Sequence, residues 1–233
     1  AMQCVENGLL GLDDDLSELM PEMTEIPILS NGKLIKSKNN ITLRHLLTHT
    51  SGFGYSGMTV KEGDFNNENW AYEDAPRHFE SGNHFLYGTS TDWVGKLVEK
   101  LSGLNLEVYF KKNITGPLNM GRTSFYVPDS LQSLIVSYGR RGDVGEKELE
   151  ELPDRVPTNK ATVLSGGGGL FSSPSDYTRL LQCLLNDGVY EGGRILSKAT
   201  IEEMIQNQIG DINLNPEGRH FNPGLCCNFN GLM

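Results

Sequence analysis

Two histidines four residues apart, His45 and His49 in "HLLTHTSG", are the first residues whose types and spacing suggest chemistry. On one helical face such a pair can pinch a zinc ion, which is half of a zinc-protease motif. The motif also needs a glutamate directly after the first histidine as general base, and that position is Leu46. His78, His84 or a carboxylate would have to complete the ligand set, and no spacing selects one of them. The alternative turns Leu43, Leu46 and Leu47 toward the core and leaves the histidines to cap and hydrogen-bond a turn. Neither a metal nor any cofactor is expected.

Four other stretches invite a chemical reading. Ser30 and Lys33 form the only Ser-x-x-Lys of the chain, a spacing that sets a hydroxyl and an amine on one helical face as an activated nucleophile. Gly32 and the flanking "LSNGKLIKSKNN" read instead as a turn. "SGGGGLFSS", residues 165–173, has glycines that let amides approach an anion ahead of a helix. It lacks the lysine of a P-loop, and Phe171 replaces the third glycine of a dinucleotide fingerprint, so close backbone packing beside a strand is expected. Asp13, Asp14 and Asp15 are consecutive and cannot give the alternating ligands of a calcium loop; they read as a solvated helix start. In "HFLYGTSTDW" Tyr87 stands just before a strongly helical stretch and is followed by Gly88 and small hydroxyl residues, so its phenol could project from a loop into a cleft. Base chemistry there needs a neighbour, such as a lysine ammonium, that lowers the usual phenol pKa of about 10.

The elements that must hold these residues are mostly helical. Trp93, Val94, Leu97, Val98 and Leu101 form one stripe closed by Gly103, the pattern of a core-facing helix over residues 91–101. Ser173, Pro174 and Asp176 open a second helix, with Tyr177, Leu180, Leu181, Leu184 and Leu185 as its buried face and Gly188 as its stop. Ser197 caps a third helix carrying Ile201, Met204 and Ile205, and Asn105 precedes a fourth carrying Leu106, Tyr109 and Phe110. Strands are expected from Leu134 in "LIVSYG", Thr162 in "TVLSGG" and Thr123 in "TSFYV". Long polar loops cover residues 56–83 and 140–160, without repeats.

A chain of 233 residues is long enough for a substantial core. A formal net charge of −10 argues against a nucleic-acid partner, which needs clustered Lys and Arg. No run approaches the roughly 20 apolar residues of a membrane span. The four cysteines, of which Cys226 and Cys227 are adjacent, match neither a zinc knuckle nor a dense disulfide framework and favour a reduced, cytoplasmic setting. The opening residues read as the last turns of a helix stopped at Gly8, and the final "GLCCNFNGLM" as the entry to a strand. The expectation is one incomplete domain over residues 1–233, truncated at both ends.

Taken in order, "ITLRHLLTHTSGFGY", "FLYGTSTDWVGKLVEKLSG", "ITGPLNMGRTSF" and "SGGGGLFSSPSDYTRLLQCLLNDG" resemble the serine β-lactamase-related family. This family includes class C β-lactamases, family VIII esterases, penicillin-binding-protein-like enzymes and fungal acyltransferases. "GLLGLDDDLSELMPE" ahead of these blocks resembles the segment that follows the family's nucleophile helix. The wording of "YGTSTDW" looks closest to the esterase and fungal transesterase branches, including the statin side-chain acyltransferases.

The resemblance implies an α+β fold of the β-lactamase/transpeptidase type, here mostly the helical subdomain with part of the antiparallel sheet. It implies a serine hydrolase or acyltransferase that cleaves small-molecule esters, with amides and β-lactams as further possibilities, through an acyl-serine intermediate. The catalytic tyrosine of the family's Tyr-x-Asn or Tyr-x-Ser element falls on Tyr87, with Thr89 at the third position, a departure from the lactamase pattern. Thr89, Phe53, Tyr55 and Trp70 are the candidate substrate-binding residues, the three aromatic ones as lining of an acyl pocket. The family's Ser-x-x-Lys helix should lie upstream of Ala1, and its Lys, His or Trp followed two positions later by Gly beyond Met233. Lys61 and Gly63 are out of order for that role. The 233 residues alone are therefore expected to be inactive, and helices that pack on the missing strands to expose apolar faces. The alternative is a catalytically dead binding or scaffold protein.

Overall fold

The computed structural model describes residues 1–55, 74–136, 138–141, 149–152 and 163–212. In chain order the elements are helices α1 (Met2–Glu6) and α2 (Pro21–Thr24), strands β1 (Ile28–Ser30) and β2 (Lys33–Ile35), and helices α3 (Leu43–Leu47), α4 (Ser90–Ser102) and α5 (Leu106–Phe110). Strands β3 (Tyr138–Arg141) and β4 (Leu149–Leu152), helix α6 (Pro174–Leu185), strands β5 (Val189–Tyr190) and β6 (Gly193–Arg194), and helix α7 (Lys198–Met204) follow.

Helix α4 is the hub. Trp93, Val94, Leu97 and Val98 are buried as their spacing predicts, and Leu101 is half-buried against them. Each such side chain gains about 1.5–3 kcal/mol by leaving water. The helix ends where Gly103 takes a left-handed conformation at φ 67° and donates its N–H to the Glu99 carbonyl at 2.9 Å. The Glu99 carboxylate then accepts from the Leu106 amide at 2.8 Å, and Asn105 caps α5 through Val108. Helices α1, α3 and α5 pack on α4. Cys4, Leu16, Met20, Met23, Leu43 and Leu46 complete the core from the N-terminal side.

The sheet content differs from expectation. Among the described residues, β1–β2, β3–β4 and β5–β6 are separate antiparallel pairs. Leu134 ends a 3₁₀ turn, Asp129–Leu134, so only the end of "LIVSYG" enters a strand. "TSFYV" makes a single bridge, Ser124 with Phe171. Residues 163–165 form no strand, and Thr162 lies outside the described residues. Apolar alternation nominates a strand, but a strand exists only where a neighbour completes its ladder.

Two further corrections concern polar and apolar faces. Asp13, Asp14 and Asp15 start no helix: Asp14 accepts from the Gly11 amide at 2.6 Å, Asp15 from the Ser17 amide at 2.9 Å, and Asp13 pairs with Arg44 at 2.7 Å. Helix α6 forms as predicted, with Ser173 accepting from the Asp176 amide at 3.3 Å. Its expected buried face is only partly covered, since Tyr177, Leu181 and Leu185 are exposed at 54%, 44% and 84%. Of the expected face Leu180 and Leu184 are half-buried, and the helix attaches through Leu180 and the buried Cys183 to Leu118 and Met120. Among the described residues no helix is long and apolar enough to cross a membrane.

Candidate active site

The site begins where α3 stops. Thr42 accepts from the His45 amide at 3.3 Å, and the His45 Nδ1 accepts from the Thr42 amide at 3.3 Å, a capping box with histidine in the usual place of Glu or Gln. The helix lasts five residues, and His49 lies beyond it in a left-handed conformation at φ 56°. The two histidines therefore share no helical face: His45 spends its Nδ1 on the cap, as the turn-capping alternative proposes, whereas His49 spends its Nδ1 on the amide of Gly88, a distant segment. Among the described residues, no group of three or more His, Cys, Asp or Glu could hold a metal.

The segment 85–89 passes against this turn, the Leu86 amide donating to the His49 carbonyl at 2.9 Å, and leads into α4. Tyr87 is 47% exposed, and its ring lies 4.6 Å from the His49 ring and 5.8 Å from the Tyr55 ring, centroid to centroid. Gly88 passes so close over residues 53–54 that a Cβ on it would lie 2.3 Å from the Phe53 carbonyl oxygen, so no other residue fits without moving the backbone. Its amide donates to the His49 Nδ1 at 3.4 Å. Thr89, at the N-terminus of α4, is buried and donates to the Gly54 carbonyl at 3.4 Å. Buried Ser51 and Ser90 share a hydrogen bond of 2.8 Å, which fastens the turn after α3 to the first residue of α4.

The glycine-rich segment braces α4 from the other side. A Cβ on Gly166 would lie 2.2 Å from the Thr91 carbonyl oxygen, and one on Gly95 would lie 2.9 Å from the Gly166 Cα. This is the close backbone packing expected of the glycines, but its partner is a helix and not a strand. Asp92 on α4 accepts from the Ser165 hydroxyl, and from the Gly167 amide at 3.3 Å. Beneath the turn, Arg77 is fully buried; it donates to the Ser81 hydroxyl at 3.0 Å and to the Ser51 carbonyl at 3.3 Å, while its Nη2 makes no hydrogen bond among the described residues. Burial lowers its pKa, and its guanidinium lies 5.9 Å from the centre of the Phe53 ring.

The structure thus brings Tyr87 and Tyr55 together at the surface. Burial, and then the neighbouring Tyr87, push the Tyr55 phenol up to about 12, so Tyr55 keeps its proton at neutral pH and can donate it in a hydrogen bond. Phe53 is placed in the core at 2% exposure, 5.8 Å from the Trp93 ring. Thr89 lies beneath the surface, while Trp70 lies outside the described residues. The sequence reading gave no role to Arg77, Asp92 or the Ser51–Ser90 pair. Nothing in their types or spacing marks them, because their partners are supplied by other parts of the chain.

A family model described as Beta-lactamase matches residues 1–223. The chain is 30% identical over 254 residues to monacolin J acid methylbutanoyltransferase of Aspergillus terreus, covering 100% of this chain and 60% of the relative. It is 30% identical over 234 residues to lovastatin esterase of Penicillium rubens, covering 90% and 56%. The structure of unliganded simvastatin synthase from Aspergillus terreus superposes with a TM-score of 0.78 at 29% identity, covering 88% of this chain and 54% of that one. The chain spans about 60% of the length of the first of these relatives.

Proposed function

This chain belongs to the beta-lactamase family and has its α+β, transpeptidase-like fold, and on that premise we propose that the whole protein is a serine-type ester hydrolase or acyltransferase working through an acyl-serine intermediate. The observation that carries the proposal is the setting of Tyr87. Its phenol is half-exposed while the backbone on both sides of it is pinned, by the Leu86 amide on the His49 carbonyl at 2.9 Å and by Gly88 against residues 53–54. A general base needs this combination of access and fixed position.

In the proposed reaction a serine hydroxyl attacks the ester carbonyl while Tyr87, with a lysine, takes its proton. Backbone amides stabilise the tetrahedral oxyanion. Collapse expels the alcohol, which takes the proton back from Tyr87 and the lysine, and leaves the acyl-serine, which water or a second alcohol then releases with the same groups removing its proton. Ser30 and Lys33 are not this serine and lysine, because the β1–β2 hairpin sets them opposite each other across a tight turn at Asn31 and Gly32. We assign the pair to the part of the family's length that these residues do not span, so the 233 residues alone should turn over no ester.

The substrate class is a small-molecule ester or acyl donor, of the kind suggested by relatives named a methylbutanoyltransferase and a lovastatin esterase. Thr89 supports esters over β-lactams. Where the lactamase branch presents Asn or Ser, this hydroxyl is turned inward to the Gly54 carbonyl.

The test is turnover of a short-chain chromogenic ester by the full-length protein and its Tyr87→Phe variant, with the acyl-enzyme followed by intact mass. The parent should acylate, and the variant should lose about 10²-fold or more in rate. A full-length protein that neither acylates nor turns over ester would instead be a binding or scaffold member of the family.

A further inference from the structure

One residue touches every position from 85 to 88. The His49 carbonyl accepts from the Leu86 amide at 2.9 Å, and its Nδ1 accepts from the Gly88 amide at 3.4 Å. Its ring lies 6.1 Å from Phe85, edge-on at 71°, and 4.6 Å from Tyr87, tilted at 45°. The left-handed backbone at φ 56° lets one residue present both its carbonyl and its ring to the same passing segment. A non-glycine residue in that conformation is uncommon, and such strain is kept where the surroundings require it.

The two hydrogen bonds flank Tyr87 along the backbone, and the ring contact holds the phenol side chain between them. Only an unprotonated Nδ1 can accept the Gly88 N–H. Burial lowers the pKa of His49, with Asp92 on α4 opposing the shift, which favours the neutral form.

We propose that His49 is the positioning residue of this site, holding the Tyr87 phenol in place by accepting the amides on either side of it and packing against its ring. The proposal rests on Tyr87 being the base, and it assigns His49 no proton transfer to substrate. In an enzyme a base displaced by about 1 Å can cost on the order of 10² in rate while binding stays intact.

The experiment uses the full-length protein and the variants His49→Ala and His49→Asn. Asparagine tolerates the left-handed conformation and places an acceptor oxygen near the position of Nδ1. For a chromogenic ester, His49→Ala should lower kcat by about 10-fold or more with little change in KM, and His49→Asn should recover most of kcat. Unchanged kcat in His49→Ala, or equal losses in both variants, would overturn the proposal. A second readout does not depend on turnover. In glycine-labelled protein the Gly88 amide resonance should shift in His49→Ala and return toward its parent position in His49→Asn. If the full-length protein turns over no ester, the functional reading fails and this resonance alone judges the clamp. If turnover is present but the Gly88 amide ignores His49, the clamp fails and the functional reading stands.

Discussion

Helices α4 and α6 carry nearly the same amphipathic message and meet opposite fates. In α4 the apolar stripe is buried on α1, α3 and α5, and its first turn is fastened by Ser90 to Ser51 and by Asp92 to the glycine-rich segment. In α6 the apolar residues Tyr177, Leu181 and Leu185 are exposed, while the acidic Asp176 is buried. That carboxylate accepts from the Arg122 amide at 2.7 Å and the Thr123 hydroxyl at 3.1 Å, and it pairs with Arg179 at 3.1 Å. A stripe therefore states which face of a helix is apolar, and the partner decides whether burial follows. The candidate site sits at the start of the helix whose face is fully engaged, where position can be held closely.

The largest expected effect tests that contrast directly. Leu97→Ala removes a side chain that is 1% exposed at the centre of the α4 packing, and it should cost about 2–5 kcal/mol through lost transfer energy and the cavity left behind. Leu185→Ala on α6, 84% exposed within these 233 residues, should stay within about 0.5 kcal/mol provided that no strand outside them covers that face. Urea unfolding of both variants in the full-length protein gives the two numbers. Comparable losses would mean that another part of the protein buries the α6 face as deeply as α4 is buried here, and the contrast would dissolve.

A smaller effect separates contact from composition within one run of glycines. Gly166→Ala would press a Cβ to 2.2 Å from the Thr91 carbonyl oxygen, and overpacking of this kind costs about 1–3 kcal/mol. A Cβ on Gly168, two residues on, meets nothing within 4 Å. Gly168→Ala should leave stability nearly unchanged. Because Gly166 abuts the first turns of α4, its variant should also slow ester turnover, and a Gly168→Ala variant that is equally slow would show that the whole run acts on the site.

Much of this is legible in the sequence alone. The α4 stripe, its stop at Gly103, and the caps at Asn105, Ser173 and Ser197 depend on residues within a turn or two of each other, so sequence encodes them locally. Tyr87 was legible mainly through resemblance, because a tyrosine before a helix has no chemistry of its own. The contacts that position it were not legible. The Ser51–Ser90 bond and the His49–Gly88 bond each join residues 39 apart, and Arg77 is buried among partners on three segments. The strands failed for the same reason, since a ladder is made by its partner. The α6 face failed because periodicity reports apolarity and not coverage.

The smallest expected effect is an acid sensitivity confined to one of the two regions. His45 and His49 are both held below the ordinary histidine value of 6.5, first of all by burial, and both use Nδ1 as an acceptor. Between the lowered folded values and 6.5 the unfolded chain binds protons that the folded chain refuses, so stability rises with pH across that window. Their contribution is fully present above about 6.5 and is lost as pH falls through the folded values. Asp13, held low chiefly by the hydrogen bond from Arg44, and Glu80, where burial pushes upward but the Ser37 hydroxyl and the Lys38 and Asn39 amides together hold it low, act in the same direction further down, below 3.8 and 4.5. Neither histidine belongs to α6. Hydrogen exchange of the full-length protein at pH 7.5 and pH 5.5, corrected for the intrinsic rates, should show residues 42–52 and 84–92 losing protection while residues 174–185 keep theirs. Earlier loss in α6 would mean that the exposed helix, and not the histidine-clamped turn, is the first part of this fold to open in acid.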